Sequence, residues 1–454
     1  MRKINLLISI AVATLGFNSC GLYTDFSTPE SEVENLAGET IALPDTAAVA
    51  VPGWKEYFTD AHLQALINEA LVSNSDIRIS ALNVEQAERA LRVSRRAFIP
   101  SFTLGPNGSV SGVPNAGTGA SYTYAVPVQA SWELDIFGRL RNAKEQAKAG
   151  LMMTNEYDQL IRTQIISGIA NAYYSLVLLD NQLSMSREAE KLATESYEAI
   201  KSLKEVGLQS EAAVLSASAN LSKISLSIKD IEVSIADTEG AICLLLNKAP
   251  MPIVRGNILD LKCELGAAVS LVVLSNRPDV KAAEMNLAQS FYGVNYARAA
   301  LYPNIRISGA ASWTNNLGGV IVNPADFLFS ALASITQPIF QAGANKANLE
   351  NAKDKYEQQL ISFEKALLVA GSDVNTYLGH IKAAEDKVEL SAEQVKQLSN
   401  AVDVTKDLML FGKANYLEVI AAQSAYLEAQ IAEATNLYNY CVGGINLFKA
   451  LGGE

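Results

Sequence analysis

The sequence predicts an α+β protein in which long helices dominate and pairs of amphipathic strands are set into the same place in each of two similar halves. Three observations carry this. Leu360, Leu367, Val374, Ile381, Val388, Val395, Val402 and Met409 stand seven apart and are all apolar, a run that only a long coiled-coil-like helix accounts for. The chain also contains its own copy: Asp76 and Asp279, Asn83 and Asn286, Gln86 and Gln289, Arg95 and Arg298, and Pro100 and Pro303 are each 203 apart. With a shift of two residues the echo resumes at Lys201 and Lys406, Leu203 and Leu408, Gly207 and Gly412, which marks two internal structural repeats. Finally, after Pro100 and Pro303 the apolar period changes from 3.6 to 2, the change from helix to strand.

The N-terminal residues MRKINLLISIAVATLGFNSC have a basic start, an apolar run from Leu6 to Phe17 and small or polar residues before Cys20. They predict a signal peptide over 1–19, with an apolar run too short to cross a membrane as a helix. Cys20 falls where a bacterial lipoprotein signal places its lipidated cysteine. Phe17 stands where such signals usually carry Leu, and Ser19 fits. Residues 20–58 are acidic, contain several prolines and lack periodicity, as suits an extended, lipid-anchored tether.

Repeat 1 is assigned to 59–248. Its first helix ends at Pro100, and the strand that follows is interrupted by Gly105, Pro106 and Gly108. The next strand sets Tyr124, Val126, Val128, Ala130, Trp132 and Leu134 on one face against Thr123, Ala125, Pro127, Gln129, Ser131 and Glu133 on the other. Pro127 cannot donate to a ladder, so a rim position or a bulge is expected there. At the following junction Asp135 is placed to cap a helix, Phe137 to pack the corner and Gly138 to allow a tight path. Arg139 and Arg141 are expected at the edge of lipid headgroups. A long helix runs to a turn at Gly207, and a returning helix carries the rows Leu221, Ile228, Ile235, Ile242 and Ile224, Ile231, Leu245. Leu226 and Val233 add a third row, so this helix is expected to have neighbours on more than one flank.

An equatorial connector is assigned to 249–272 and repeat 2 to 273–454. Repeat 2 has the same order: a helix to Pro303, strands with Ile305, Ile307, Ala311, Trp313 and then Phe327, Phe329, Ala331, Ala333, Ile335 as apolar files, the eight-heptad helix, a turn at Gly412, and a helix returning to a C-terminal tail. At 1.5 Å per residue the heptad helix is on the order of 70–100 Å long. Strands of about ten residues with one apolar face suit a transmembrane β-barrel or an ordinary half-buried antiparallel sheet; if they span a membrane, four per chain are too few to close a barrel and the chain must oligomerise.

Composition excludes other classes. The formal charge of −12 argues against nucleic acid as a partner. Cys243, Cys263 and Cys441 are scattered, and with two histidines in the chain no metal site is expected. No catalytic set, phosphate loop or other cofactor motif is present, so no cofactor and no enzyme activity are expected.

Taken in order, the segments beginning at Gly53 (GWKEYFTDAHLQALINEALVSNSDIRISALNVEQAE), Ser131 (SWELDIFGRLRNAKEQA), Asn276 (NRPDVKAAEMNL), Ala300 (ALYPNIRISG), Gln337 (QPIFQAGANKANLENAK) and Leu410 (LFGKANYLEVIAAQSAYLEAQ) resemble the TolC-like outer-membrane efflux proteins, in the lipoprotein branch that serves resistance-nodulation-division (RND) pumps. The resemblance implies a homotrimer with a twelve-stranded transmembrane β-barrel continuous with a long α-helical barrel through the periplasm. It implies a passive exit duct of a tripartite efflux pump, held in bacterial outer-membrane lipid. The tips at Gly207 and Gly412 would meet a periplasmic adaptor (membrane fusion) protein coupled to an inner-membrane RND pump, and residues 24–58, 249–272 and the C-terminal tail would form a belt. The exit channel of a type I protein secretion system shares this architecture. A secreted coiled-coil scaffold would use the heptads but would not need the strands. Family members commonly carry an aspartate nine residues after the turn glycine as part of a periplasmic constriction; here that position is Ala421. Glu418, six residues after Gly412, is the candidate gate carboxylate, and Asn415 with Glu418 also matches a capping box for the returning helix.

Overall fold

The computed structural model describes residues 24–29, 53–111, 121–256, 276–314, 327–337 and 341–453. Cys20, Cys263, the segment 1–19 and most of the connector lie outside the described residues. The elements are α1 (Trp54–Tyr57), α2 (Ala61–Ser73), α3 (Ser75–Arg96), β1 (Ser101–Leu104), β2 (Asn107–Ser111), β3 (Ser121–Leu134), α4 (Arg139–Glu205), α5 (Glu211–Leu245), α6 (Pro278–Ala299), β4 (Asn304–Thr314), β5 (Phe327–Thr336), α7 (Ala344–Leu410) and α8 (Tyr416–Ala450).

The duplication is exact to the residue in the helices. The series α3, α4, α5 contains 22, 67 and 35 residues, and α6, α7, α8 contains 22, 67 and 35. Each 67-residue helix is therefore about 100 Å long. Among the described residues no helix is long and apolar enough to cross a membrane.

The chain divides into two compact units, each drawing on both halves. The first takes its described residues from 24–29, 83–155 and 282–365 and contains the sheet. Its strand order is β1-β3-β4-β5, with β2 also on β3, and every pairing is antiparallel. β1 and β2 keep one register on β3: Leu104 lies opposite Val128 and Asn107 opposite Ala125. They are one strand broken at Gly105 and Pro106. Pro127 sits inside β3, opposite Ser312 of β4, and accepts from the Gly105 N–H at 3.2 Å. This corrects the rim or bulge expected for it. The register passes through without slipping, and the missing donor costs one ladder bond on the side where the neighbouring strand is itself interrupted.

In the same unit, residues 24–29 run without regular structure, with Phe26 edge-on to Phe291 of α6 at 5.7 Å and its N–H donating to the Tyr292 hydroxyl at 3.3 Å. The Thr28 hydroxyl donates to Glu284.

The second unit takes its described residues from 53–82, 156–256, 276–281 and 366–453. Its main core joins α1 and α2 to the middle of α4 and the ends of α5 and α8, around Phe58, Leu63, Ile67, Ile169, Tyr173, Ile242 and Phe448. Tyr57 stacks on Phe448 at 4.9 Å. The Tyr173 hydroxyl donates to Asp60 at 2.7 Å and accepts from the Gly256 N–H at 2.9 Å. Burial, with the Asp60 carboxylate beside it, pushes this phenol's pKa well up. Arg255 bridges Asp180 of α4 and Glu239 of α5, so the start of the connector is tied down by one guanidinium and one phenol. Cys243 and Cys441 are both buried.

The predicted seam is present. Leu367, Val374 and Val402 are buried and Leu360, Ile381, Val388, Val395 and Met409 half-buried, so one side of α7 is covered along its length. Along α5, Ile224, Ile228, Ile231 and Ile242 are buried, whereas Leu226 and Val233, the extra row, are exposed.

Candidate functional site

Two places concentrate chemistry and shape: the paired hairpin tips in the second unit, and the foot of the sheet in the first.

Both tips use the same turn. At the end of α4 the Leu208 N–H donates to Leu203 O and the Gly207 N–H to Lys204 O, both at 2.9 Å. At the end of α7 the Lys413 N–H donates to Leu408 O at 2.8 Å and the Gly412 N–H to Met409 O at 3.0 Å. These are Schellman motifs, which need a left-handed residue; Gly207 and Gly412 supply it at φ +74° and +64°, where a side chain would be strained. The returning helices start with side-chain caps. The Ser210 hydroxyl accepts from the Ala213 N–H at 3.2 Å, and Asn415 Oδ1 accepts from the Glu418 N–H at 3.1 Å.

Glu418 is exposed. Its carboxylate accepts from Asn415 Nδ2 at 2.7 Å, not from the backbone N–H of a strict capping box. Beneath the tips Ile200, Ala213, Val214, Ala217 and Tyr416 form a small core, and the Tyr416 hydroxyl donates to Ser196 O at 3.2 Å. Beyond that core the apolar residues Val206, Leu208, Leu410 and Phe411 are open to solvent, Phe411 at 78%. Sequence reasoning found the turn glycines but not this rim, whose signal was four apolar residues flanking two glycines.

At the foot of the sheet Arg139 Nη2 reaches both Glu133 oxygens at 2.6 Å and Nη1 donates to the Tyr296 hydroxyl at 2.9 Å. Arg306, opposite Glu133 in the register, lies 3.7 Å from the same carboxylate. Burial opposes the Arg139 charge, but the bonds to Glu133 and Tyr296 outweigh it and hold its pKa above the usual value. Arg139 thus closes the polar face of β3 through its pairing with Glu133. Asp135 does cap α4, accepting from the Leu140 and Arg141 N–H groups at 2.8 Å each. Phe137 stacks on Tyr302 at 5.2 Å, and Gly138 takes φ +75°. A cavity of about 420 Å³ lies here, lined by Glu133, Arg139, Tyr302, Arg306, Gln341 and Asn345 among others.

The two faces of the sheet differ. On one lie Phe102, Leu104, Val110, Val128, Trp132, Ile307, Trp313 and Ile335, all substantially exposed. The other carries Ser101, Thr103, Ser109, Gln129, Ser131, Ser308, Ser312 and Ser334, with Leu332 as an exception opposite Ser308. The arrangement can bury an apolar face against lipid while offering hydroxyls and amides to water.

The family model described as outer membrane efflux protein matches residues 66–248 and 271–453, once for each half. The toluene efflux pump outer membrane protein TtgC of Pseudomonas putida is 27% identical over 98% of this chain and 95% of its own length. The probable outer membrane lipoprotein SilC of Salmonella typhimurium is 27% identical over 88% of each chain. A crystal structure of CusC, from work on conformational changes accompanying folding and transmembrane channel formation, superposes with a TM-score of 0.85 at 25% identity, covering 95% of this chain and 99% of CusC.

Proposed function

The chain belongs to the outer membrane efflux protein family, and from that membership we propose that three copies form the exit duct of a tripartite efflux pump, conducting small molecules or ions from an inner-membrane pump and its adaptor across the periplasm and outer membrane. The sheet is the observation that carries this reading. Its outermost strands, β1 with β2 and β5, have no further partner among the described residues, and its apolar face is open. Open edges with a bare apolar face are unstable in water. Joining the β5 edge of one copy to the β1 edge of the next closes twelve strands, puts Trp132 and Ile307 against lipid and turns Gln129 and Ser308 to the lumen.

In this reading α4, α5, α7 and α8 are staves of a helical barrel, and the exposed row of Leu226 and Val233 meets the adjacent copy. The tips at Gly207 and Gly412 meet the adaptor. Cys20 carries the lipid anchor. The duct is passive, its energy coming from the inner-membrane pump. Native mass spectrometry of the detergent-extracted protein tests the assembly: a trimer is expected, and a monomer that conducts in planar bilayers would end the proposal.

A further inference from the structure

α3 and α6 are counterparts of equal length, yet one stripe along them differs. On α6 it holds Tyr292, Asn295 and Ala299. The Tyr292 hydroxyl accepts from the Phe26 N–H, and Asn295 and Ala299 are each 3% exposed. On α3 the same positions, 203 residues earlier, hold Arg89, Arg92 and Arg96, all exposed. Steps of three and then four residues keep the three on one side of the helix. Arg89 pairs with Glu85 at 2.6 Å, whereas among the described residues neither Arg92 nor Arg96 is in an ion pair.

Helix polarity does not explain the stripe. Cations offset the helix dipole in the last turn only, which accounts for Arg95 and Arg96, and α6 meets the same need with Arg298 alone. Arg89 and Arg92 stand about one to two turns further in, on a chain whose formal charge is −12. Just beyond α3, Ile99, Phe102 and Leu104 are exposed, and the Trp132 indole N–H donates to Phe98 O at 2.9 Å. The stripe therefore ends where the bare apolar face of the sheet begins, beside a tryptophan of the kind that marks a membrane border. From Arg89 to Arg96 is about 10 Å along the helix, and the headgroup layer flanking a hydrocarbon core is about 5–8 Å deep.

We infer that Arg89, Arg92 and Arg96 form a binding site for the phosphate of an anionic phospholipid in the leaflet at the foot of the sheet. This rests on the reading above that the sheet enters a bilayer. A guanidinium presents two parallel N–H donors to phosphate oxygens. A zwitterionic lipid brings a cation of its own, which the stripe repels; an anionic lipid does not. In a ring of three copies, faces of α6 contacted by residues 24–29 alternate with basic faces of α3.

The test is flotation of the full-length protein with vesicles of equal parts phosphatidylglycerol and phosphatidylcholine, then native mass spectrometry of the protein extracted from them. Retained phosphatidylglycerol is expected to exceed phosphatidylcholine. Arg92→Gln with Arg96→Gln keeps helix-forming side chains and is expected to lower that preference about fivefold per arginine. Lys382→Gln with Lys396→Gln, which removes two exposed charges from α7, is expected to leave it unchanged. Protein that does not float ends the bilayer reading and this inference together. Protein that floats but retains both lipids alike, an unchanged preference in the arginine variant, or an equal loss in the α7 variant overturns this inference alone. So does displacement of the lipid by millimolar inorganic phosphate, the mark of an adventitious anion site. If the double arginine variant does not fold, Arg92→Gln by itself decides, by the same fivefold loss.

Discussion

Asn74 and Arg277 occupy the same position in the two halves and hold the same point of the fold. Asn74 Nδ2 donates to Leu245 O at 2.8 Å and Arg277 Nη1 donates to Ala450 O at 3.1 Å; Leu245 and Ala450 are the last residues of the two returning helices. Each side chain thus satisfies a helix-end carbonyl left without a partner. Their other duties differ. Asn74 Oδ1 caps α3 directly, accepting from Asp76 and Ile77 N–H groups, whereas Arg277 binds Asp279 in a two-bond fork and reaches Asp373 at 3.2 Å.

Arg277 is 7% exposed, so its removal leaves a buried carbonyl and two carboxylates without their cation. Arg277→Ala is expected to destabilise the second unit by about 2–4 kcal/mol, and Asn74→Ala by about 1–2. Thermal melts followed by circular dichroism measure both, and the order of the two is the point at issue.

Trimer formation is expected to depend on the row that one chain leaves bare. Leu226 is 67% exposed, so Leu226→Asp costs little in a single chain but places a carboxylate in each of three interfaces. Native gels should show loss of trimer with helicity retained. Val388→Asp, half-buried in its own chain's seam, should instead lower helicity and trimer together.

Adaptor binding is expected to need the apolar rim of the tips. Leu208→Ser combined with Phe411→Ser removes two exposed side chains that pack on nothing essential, so the melting temperature should hold within a few degrees. Affinity for the adaptor, read by surface plasmon resonance, should fall at least tenfold.

Glu418→Gln separates a gate from a cap. The amide keeps an oxygen to accept from Asn415 Nδ2 but removes like charges from a trimeric aperture. Unchanged conductance in planar bilayers is expected, with Asn415→Ala costing about 1 kcal/mol of stability. Raised conductance with altered cation selectivity would transfer the role to the gate.

Lipidation at Cys20 is checked by the intact mass of the mature N-terminus. A triacylated cysteine is expected, and Cys20→Ala should still trimerise, since one lipid anchor adds only modestly to a membrane-embedded barrel.

Much of this was legible in the sequence because it rests on period and spacing. The 203- and 205-residue echoes established which helices correspond, and the heptads of Leu367, Val374 and Val402 marked the covered side of α7. Side chains that act across the fold were not legible. Nothing in a one-dimensional pattern says that Arg139 turns back to Glu133 or that Arg277 reaches Ala450. Pro127 misled because a general rule about central strands cannot foresee that its neighbour is interrupted at Gly105.

Equal helix lengths in the two halves turn the chain into a ruler. Deleting one residue from α4 alone would draw its tip back by about 1.5 Å and swing it by about 100° against its twin, so the Gly207 and Gly412 turns would no longer present matching ends. Drift in either copy is penalised by the other, and only whole heptads gained or lost in both together preserve the match. The two residues by which the copies differ fall between Pro303 and Lys406 in a chain whose helices agree residue for residue. They lie in the stretch between α6 and α7, outside every helix of the two series.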